Sequence, residues 1–269
     1  MADKIFDVKG QVILIVGAST GIGVHFAKVF GSLGATVVVT ARREGLLKEV
    51  VADIEAAGGK ASFVTMDVMN RESVKAGVAD TLKRYGKIDT LVNSAGILVD
   101  GKSAQNHTEE DFTNVLGTNL TGCWRASVEV ANQWMLKNGG NIVMVGSVLG
   151  ERQVKGSAAY LAAKAGLHQL TKTLALEWAG RNVRVNAILP GYCLTDLTTG
   201  LFEKPDPTKK VGERELSDLG AKFVQGIPMK KFVLLDDLVG PMLLLTSGAS
   251  SRMTGTFITV DAGHLVSSL

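Results

Sequence analysis

Short, unbroken apolar runs alternate along this chain with longer stretches in which apolar side chains recur every three or four positions. The runs at 12–16, 36–40, 62–66, 87–92, 141–146, 183–189 and 256–260 carry little polar alternation, which predicts strands covered on both faces. Between them, helical periodicity predicts helices at 21–33, 44–57, 72–85, 120–137, 158–179 and 237–246. Alternation of this kind implies right-handed βαβ crossovers. The expected fold class is therefore α/β, a doubly wound parallel sheet of about seven strands with helices on both faces, in a single domain over 1–269.

One stretch breaks the rhythm. From 195 to 231 clean strand patterning is lost, and Pro205, Pro207 and Pro228 interrupt the chain. A long irregular insert in a compact domain is usually functional or mobile. This one follows the carboxyl end of a strand, where open α/β sheets bind ligands. The expectation is a substrate lid over 195–231 with a short helix near 213–224.

Composition narrows the function classes. Hydrophobic residues make up 46% of the chain and charged residues 20%, enough for a large core and unlike a disordered segment. A net charge of +3 with scattered Lys and Arg argues against a nucleic-acid partner. No apolar run reaches the length of a membrane span, and the charged first ten residues lack the apolar core of a secretory leader. Cys123 and Cys193 lie far apart, with neither a disulfide framework nor a zinc-site spacing. A cytoplasmic protein without a metal is expected.

At the first strand–helix junction the chain reads Gly17-Ala18-Ser19-Thr20-Gly21-Ile22-Gly23. Glycine there permits a tight turn and lets the backbone approach a pyrophosphate, and the helix N-terminus offers free N–H groups to phosphate oxygens. Ser19 and Thr20 add hydroxyl donors. The second strand runs into Thr40-Ala41-Arg42-Arg43, with no carboxylate to hold the ribose 2′-hydroxyl of NAD. A guanidinium pairs instead with a 2′-phosphate. The expected cofactor is NADP(H), with Arg42 as the main contact and Arg43 as a helper.

Candidate chemistry sits further along. Ser147 ends the fifth apolar run, Tyr160 follows thirteen residues later, and Lys164 four residues beyond shares its helix face. A free phenol, with a pKa of roughly 10, is a poor proton donor or acceptor at neutral pH. An ammonium a few ångströms away favours the phenolate. The pair has the parts of an acid/base group that works on an alcohol or a carbonyl.

Together these motifs resemble the short-chain dehydrogenase/reductase family over essentially the whole chain, from Gly10 to about His264, with Val16 where a Thr is usual before the glycine-rich turn. The resemblance implies a Rossmann-like fold and further contacts. Asp67-Val68 would touch adenine, and Asn93-Ser94-Ala95-Gly96 would close over the adenosine side. Pro190-Gly191 and Thr195 would face the nicotinamide, as would the backbone at Ile188. Asn119 matches the helix asparagine of the family's catalytic set, alongside Ser147, Tyr160 and Lys164. The implied roles are Tyr160 as proton donor or acceptor, Ser147 orienting the carbonyl, Lys164 also bonding the nicotinamide ribose, and Asn119 holding a water that links Lys164 to solvent. Ala262 stands where the family usually has glycine. Helices at 120–137 and 158–179 match those that build dimers within tetramers, so a homo-oligomer is expected.

The expected activity is NADPH-dependent reduction of a ketone to a secondary alcohol, and its reverse, on a small-molecule substrate. An alternative is reduction of 3-oxoacyl groups on a carrier protein or coenzyme A. A third reading is a non-catalytic NADP(H)-binding sensor, which the intact Asn119, Ser147, Tyr160 and Lys164 set disfavours. The resemblance implies basic residues beside the site entrance in carrier-linked members; here residues 136–142 lack arginine and position 176 is Leu, which favours small or coenzyme A-linked substrates. The lid lysines, Lys204, Lys209, Lys210, Lys230 and Lys231, point the other way, to an anionic substrate. His25, His107, His168 and His264 share no ligand spacing and are expected to be structural. Cys193, beside Tyr192, packs near the substrate site.

Overall fold

The computed structural model describes residues 5–99, 101–195 and 198–267. Asp196 and Leu197 of the expected lid lie outside them. Seven strands form one sheet, all parallel, in the order β3-β2-β1-β4-β5-β6-β7. They are β1 (Val12–Val16), β2 (Thr36–Ala41), β3 (Lys60–Thr65), β4 (Thr90–Asn93), β5 (Gly140–Val145), β6 (Val183–Pro190) and β7 (Phe257–Val260). Successive side chains leave a strand on opposite faces. Leu14, Val38 and Met144 therefore enter one core layer, while Ile13, Val37 and Val143 enter the other. Each such side chain, fully buried, contributes about 1.5–3 kcal/mol.

The helices divide between the two layers. On one face lie α1 (Gly21–Ser32) and α2 (Glu44–Ala56), with Phe26, Phe30, Leu47 and Ile54 turned inward. On the other lies α3 (Arg71–Tyr85), which begins where the Asn70 side chain accepts a hydrogen bond from the Ser73 N–H at 3.1 Å. After β4 the helical path starts earlier than the apolar pattern predicts. It opens with α4 (Glu109–Leu116) and continues through α5 (Cys123–Val130) and α6 (Leu136–Asn138). Thr108 and Asp111 form a reciprocal capping box at its start. Two π-helical segments, Gly117–Gly122 and Ala131–Met135, interrupt the path. Each widens the turn and shifts the apolar phase, so no single 3.6-residue period spans 109–138. The long α7 (Ala158–Trp178) packs against β6, α4 and the first π segment, with Leu167 and Leu174 buried in the same core layer.

The insert after β6 is a closed loop. Cys193 and Val233 pair as an isolated parallel bridge, so the chain leaves and returns at one spot. Between them α8 (Thr199–Phe202) and α9 (Asp218–Gly226) enclose a small core of Leu194, Phe202, Ile227 and Phe232. The expected helix at 213–224 is thus displaced, because Ser217 caps α9 by accepting from the Gly220 N–H at 3.0 Å. The chain just before it is captured by Glu203, only 2% exposed. Its carboxylate accepts from the N–H groups of Gly212 (2.9 Å) and Arg214 (3.3 Å) and from the Thr199 hydroxyl (2.8 Å). A buried carboxylate needs donors of this kind to offset its lost hydration. Finally α10 (Val239–Thr246) covers the first face and leads to β7. Among the described residues, no helix is long and apolar enough to cross a membrane.

Ala262 adopts a left-handed backbone conformation, φ 53°. Its carbonyl accepts from the Met229 N–H at 3.2 Å, tying the end of the chain to the lid. That conformation costs an L-residue roughly 1–2 kcal/mol, more than the extra chain entropy a glycine brings. Ala262→Gly is therefore expected to raise stability by about 0.5–1 kcal/mol in urea unfolding.

Candidate active site

Strand order reverses between β1 and β4, and a cleft opens there at the carboxyl edge of the sheet. Its first wall is the turn after β1. Gly17, at φ 84°, lies so close to β4 that a Cβ on it would fall 2.4 Å from the Ala95 backbone. A Cβ on Gly23 would meet the Gly17 carbonyl at 2.3 Å. Both positions admit only glycine, and together they draw α1 down onto the turn. Gly21 (φ 62°) is different, since a Cβ there would project into open space with Thr195 at 3.9 Å across the cleft. Thr20 makes no side-chain cap bond, which leaves the first N–H groups of α1 for an anion. This open glycine cradle at a helix N-terminus fits a dinucleotide pyrophosphate.

Most residues expected at the cofactor site line this cleft. Ser19, Thr20, Gly21 and Ile22 line it with Gly17, and Arg42 and Arg43 line it at the end of β2. Asp67 and Val68 follow β3, Ala95 and Gly96 follow β4, and Pro190, Gly191 and Thr195 come from the end of β6. Arg43 donates to the Ser19 hydroxyl at 2.9 Å, joining the two rims. The Asp67 carboxylate accepts from the Met69 N–H at 2.9 Å and fixes its own turn.

Four expected site residues stand behind the wall instead. Ile188 is fully buried, and its carbonyl accepts from the Gly146 N–H at 2.9 Å. Gly23 acts through the close approach just described. Asn93 is 1% exposed, and its amide donates to the Ser127 hydroxyl at 3.0 Å and toward the Met144 sulfur at 3.3 Å. It braces β4 against α5 and β5. Asn119, fully buried in the first π segment, donates to the Ile97 carbonyl (2.9 Å) and accepts from the Ile97 N–H (2.8 Å). Its side chain clamps the loop after β4.

The opposite wall holds the residues expected to act on substrate. Ser147 follows β5, and its hydroxyl oxygen accepts from the Leu149 N–H at 3.1 Å. Its own O–H is left to donate. Tyr160 lies in the first turn of α7, and Lys164 one turn on is 4% exposed. The Lys164 ammonium donates to the Val145 carbonyl at 2.8 Å and stands 5.5 Å from the centre of the Tyr160 ring. Ser147, Tyr160 and Lys164 thus meet on one wall.

His168 sits one turn beyond Lys164, and sequence reasoning gave it no part in the site. Cβ atoms on Gly146 or Gly150 would come within 2.9 Å and 2.4 Å of its imidazole, so the segment carrying Ser147 lies flat on the ring. Burial, reinforced by Lys164 and Lys172, pushes the His168 pKa down to about 4. Burial also lifts the Cys123 thiol to about 11 and the Cys193 thiol to about 12, so neither is a nucleophile at neutral pH. Thr198 was likewise missed. It lines the cleft, donates to the Cys193 carbonyl at 2.7 Å and accepts from the Thr195 N–H at 3.0 Å. No periodicity or motif marks either residue.

A parallel sheet with a glycine-lined nucleotide cleft and a Ser–Tyr–Lys wall defines a class of dinucleotide-dependent oxidoreductases. The family model for short chain dehydrogenase matches residues 11–206. A 3-oxoacyl-[acyl-carrier-protein] reductase of Thermotoga maritima is 34% identical over 96% of this chain and 99% of its own. The crystal structure of gox2181 superposes with a TM-score of 0.91 at 32% identity, covering 99% of this chain and 100% of that one. A structure described as a putative NAD(P)-dependent gluconate 5-dehydrogenase from Beutenbergia cavernae, with bound NADP, gives 0.86 at 33% identity, covering 98% and 100%. The chain belongs to the short-chain dehydrogenase/reductase family, and it is an oxidoreductase of that family.

The suppressed pKa of His168 has a stability consequence. Above its unfolded value near 6.5 both states are neutral and the full stability is present. As pH falls from about 6.5 toward 4, the unfolded chain takes up a proton that the folded one refuses, and stability is lost. His25 and His264, also lowered chiefly by burial, add to the same loss. Thermal unfolding of His168→Gln should therefore show a smaller drop in Tm between pH 7 and pH 5 than the parent chain.

Proposed function

We propose that this protein is an NADPH-dependent reductase that converts a ketone to a secondary alcohol, and that also runs in reverse. The observation that carries the reading is the wall on which Ser147, Tyr160 and the buried Lys164 meet. The glycine turn and the α1 N-terminus would hold the pyrophosphate, Arg42 and Arg43 the 2′-phosphate, and Asp67-Val68 the adenine. Thr195 with Pro190-Gly191 would hold the nicotinamide, which supplies or accepts hydride when bound. The Ser147 O–H, oriented by the bond its oxygen takes from Leu149, donates to the substrate oxygen and places it for transfer. Tyr160 delivers the proton to that oxygen in reduction and takes it back in oxidation. Lys164 keeps two of its three N–H donors after bonding Val145, enough to reach a ribose hydroxyl while its charge faces the phenol ring.

Reduction of 3-oxoacyl groups on a carrier protein is the second reading, supported by the name of the Thermotoga maritima relative. Against it, Leu176 is 82% exposed on α7, where a basic residue would be needed to meet an acidic carrier.

Tyr160→Phe is expected to lower kcat for ketone reduction by about 10²–10⁴-fold while the Kd for NADPH stays within about threefold, read by NADPH absorbance and by titration. Wild-type turnover in the variant would sink the mechanism. The double change Ala41→Asp with Arg42→Leu should move the ratio of kcat/KM for NADPH over NADH down by at least about tenfold, since it exchanges a 2′-phosphate partner for a 2′-hydroxyl partner. An unmoved ratio would reject the role given to Arg42.

A further inference from the structure

We infer that the substrate of this site is a ketone with a bulky apolar body, a hydrocarbon chain or ring system, and not a polyhydroxylated acid. The inference rests on the ketone-reductase reading above and deepens it. Beyond Ser147 and Tyr160, the cleft is walled by Val148, Leu149 and Val154 from the segment after β5, and by Leu201, Leu219 and Phe223 from the lid. Leu219 and Phe223 are four residues apart on α9 and share one face of it. The helix docks through Gly220, where a Cβ would strike the Phe202 carbonyl at 2.1 Å. Leu219 remains 43% exposed although it lines the cleft, so the apolar wall continues to the mouth. Behind it, Tyr192 packs edge-on against both Phe223 (5.0 Å between ring centres) and Phe202 (5.7 Å), and Phe202 stacks on Phe232. These rings hold the wall rigid.

Ser94, Ser157 and Tyr192 also line the cleft, but apolar side chains outnumber the polar ones at this end. The Thr198 hydroxyl is committed to Cys193 and Thr195. The lid lysines, expected from sequence to attract an anionic substrate, do not line the cleft. Lys204 pairs with Glu215 at 2.6 Å, Lys209 approaches Asp206 at 3.8 Å, and Lys230 donates to the Gln225 carbonyl. Lys155, exposed at the rim, is the cation that remains on the substrate side besides Lys164. A sugar acid could set its carboxylate there, but its hydroxyls would then face hydrocarbon. Each hydroxyl buried without a partner weakens binding by roughly 5- to 150-fold. Each methylene buried against the same wall instead strengthens it, by about fourfold at most.

The test separates binding from chemistry. Methyl ketones from butanone to undecanone, and a keto-gluconate, are titrated calorimetrically into the Tyr160→Phe protein saturated with NADPH. The same compounds are assayed for turnover by the parent enzyme. The expected result is a Kd that falls about two- to fourfold per added methylene, a parallel rise in kcat/KM, and undecanone at least about 100-fold ahead of the keto-gluconate. Phe223→Ser should weaken undecanone binding by about tenfold, with NADPH affinity measured alongside to report folding. A flat series, a keto-gluconate that binds better, or no binding by any ketone overturns the inference. Rising affinity without turnover by the parent enzyme leaves the apolar ligand class standing and removes the reductase chemistry. Turnover with a flat series does the reverse.

Discussion

The bond from the buried Lys164 ammonium to the Val145 carbonyl governs the chemical half of this molecule. An ammonium is costly to take out of water and persists there only with partners. The carbonyl it finds belongs to the last residue of β5, so the bond sets the height of α7 against the carboxyl edge of the sheet. One turn toward the helix start, Tyr160 then stands beside Ser147. One turn the other way, the neutral ring of His168 supports Gly146 and Gly150. A single ion–dipole contact thus locates the Tyr160 phenol, the Ser147 hydroxyl and the floor beneath them.

The nucleotide half depends on backbone proximity in place of charge. Gly17 against Ala95 and Gly23 against Gly17 leave no room for a Cβ, and the two contacts press the turn and α1 onto the end of β4. The halves face one cleft because the sheet reverses its order between β1 and β4. Crossovers on either side of that point leave in opposite directions and leave a gap between them. The insert after β6 lines the cleft from a third side, with its own apolar core and with the Glu203 carboxylate gathering its inner loop. The apolar insert and the glycine turn therefore line one cleft with Ser147 and Tyr160.

Much of this was legible in the chain. Parallel strands buried on both faces read as unbroken apolar runs, and all seven appear within a few residues of their expected places. The strand at 87–92 is the largest discrepancy, because β4 begins only at Thr90. There the Asp89 carboxylate accepts from the Val12 N–H at 2.7 Å, and the residues before Thr90 serve as a turn. The glycine turn and the Ser147–Tyr160–Lys164 spacing were legible because both are local. A turn needs its own glycines, and an i,i+4 pair needs one helix. The helix at Glu109–Leu116 was not, since the π segments that follow it shift the apolar phase. Nor was the direction of Asn93 and Asn119, whose amides could serve a ligand or a neighbouring backbone equally well.

What the chain alone determined was a parallel α/β architecture, a glycine-rich turn and the spacing that sets Ser147, Tyr160 and Lys164 on one cleft. Those follow from periods and spacings within single elements, which short-range sterics and burial impose directly. What awaited the folded chain was which polar groups face the cleft and which are spent elsewhere. Glu203 finds donors nine and eleven residues away in the insert, Lys204, Lys209 and Lys230 are drawn off by Glu215, Asp206 and a carbonyl, and Asn119 turns to Ile97. A polar side chain takes the partner that tertiary packing brings within about 3 Å, and its residue type does not say which partner that will be.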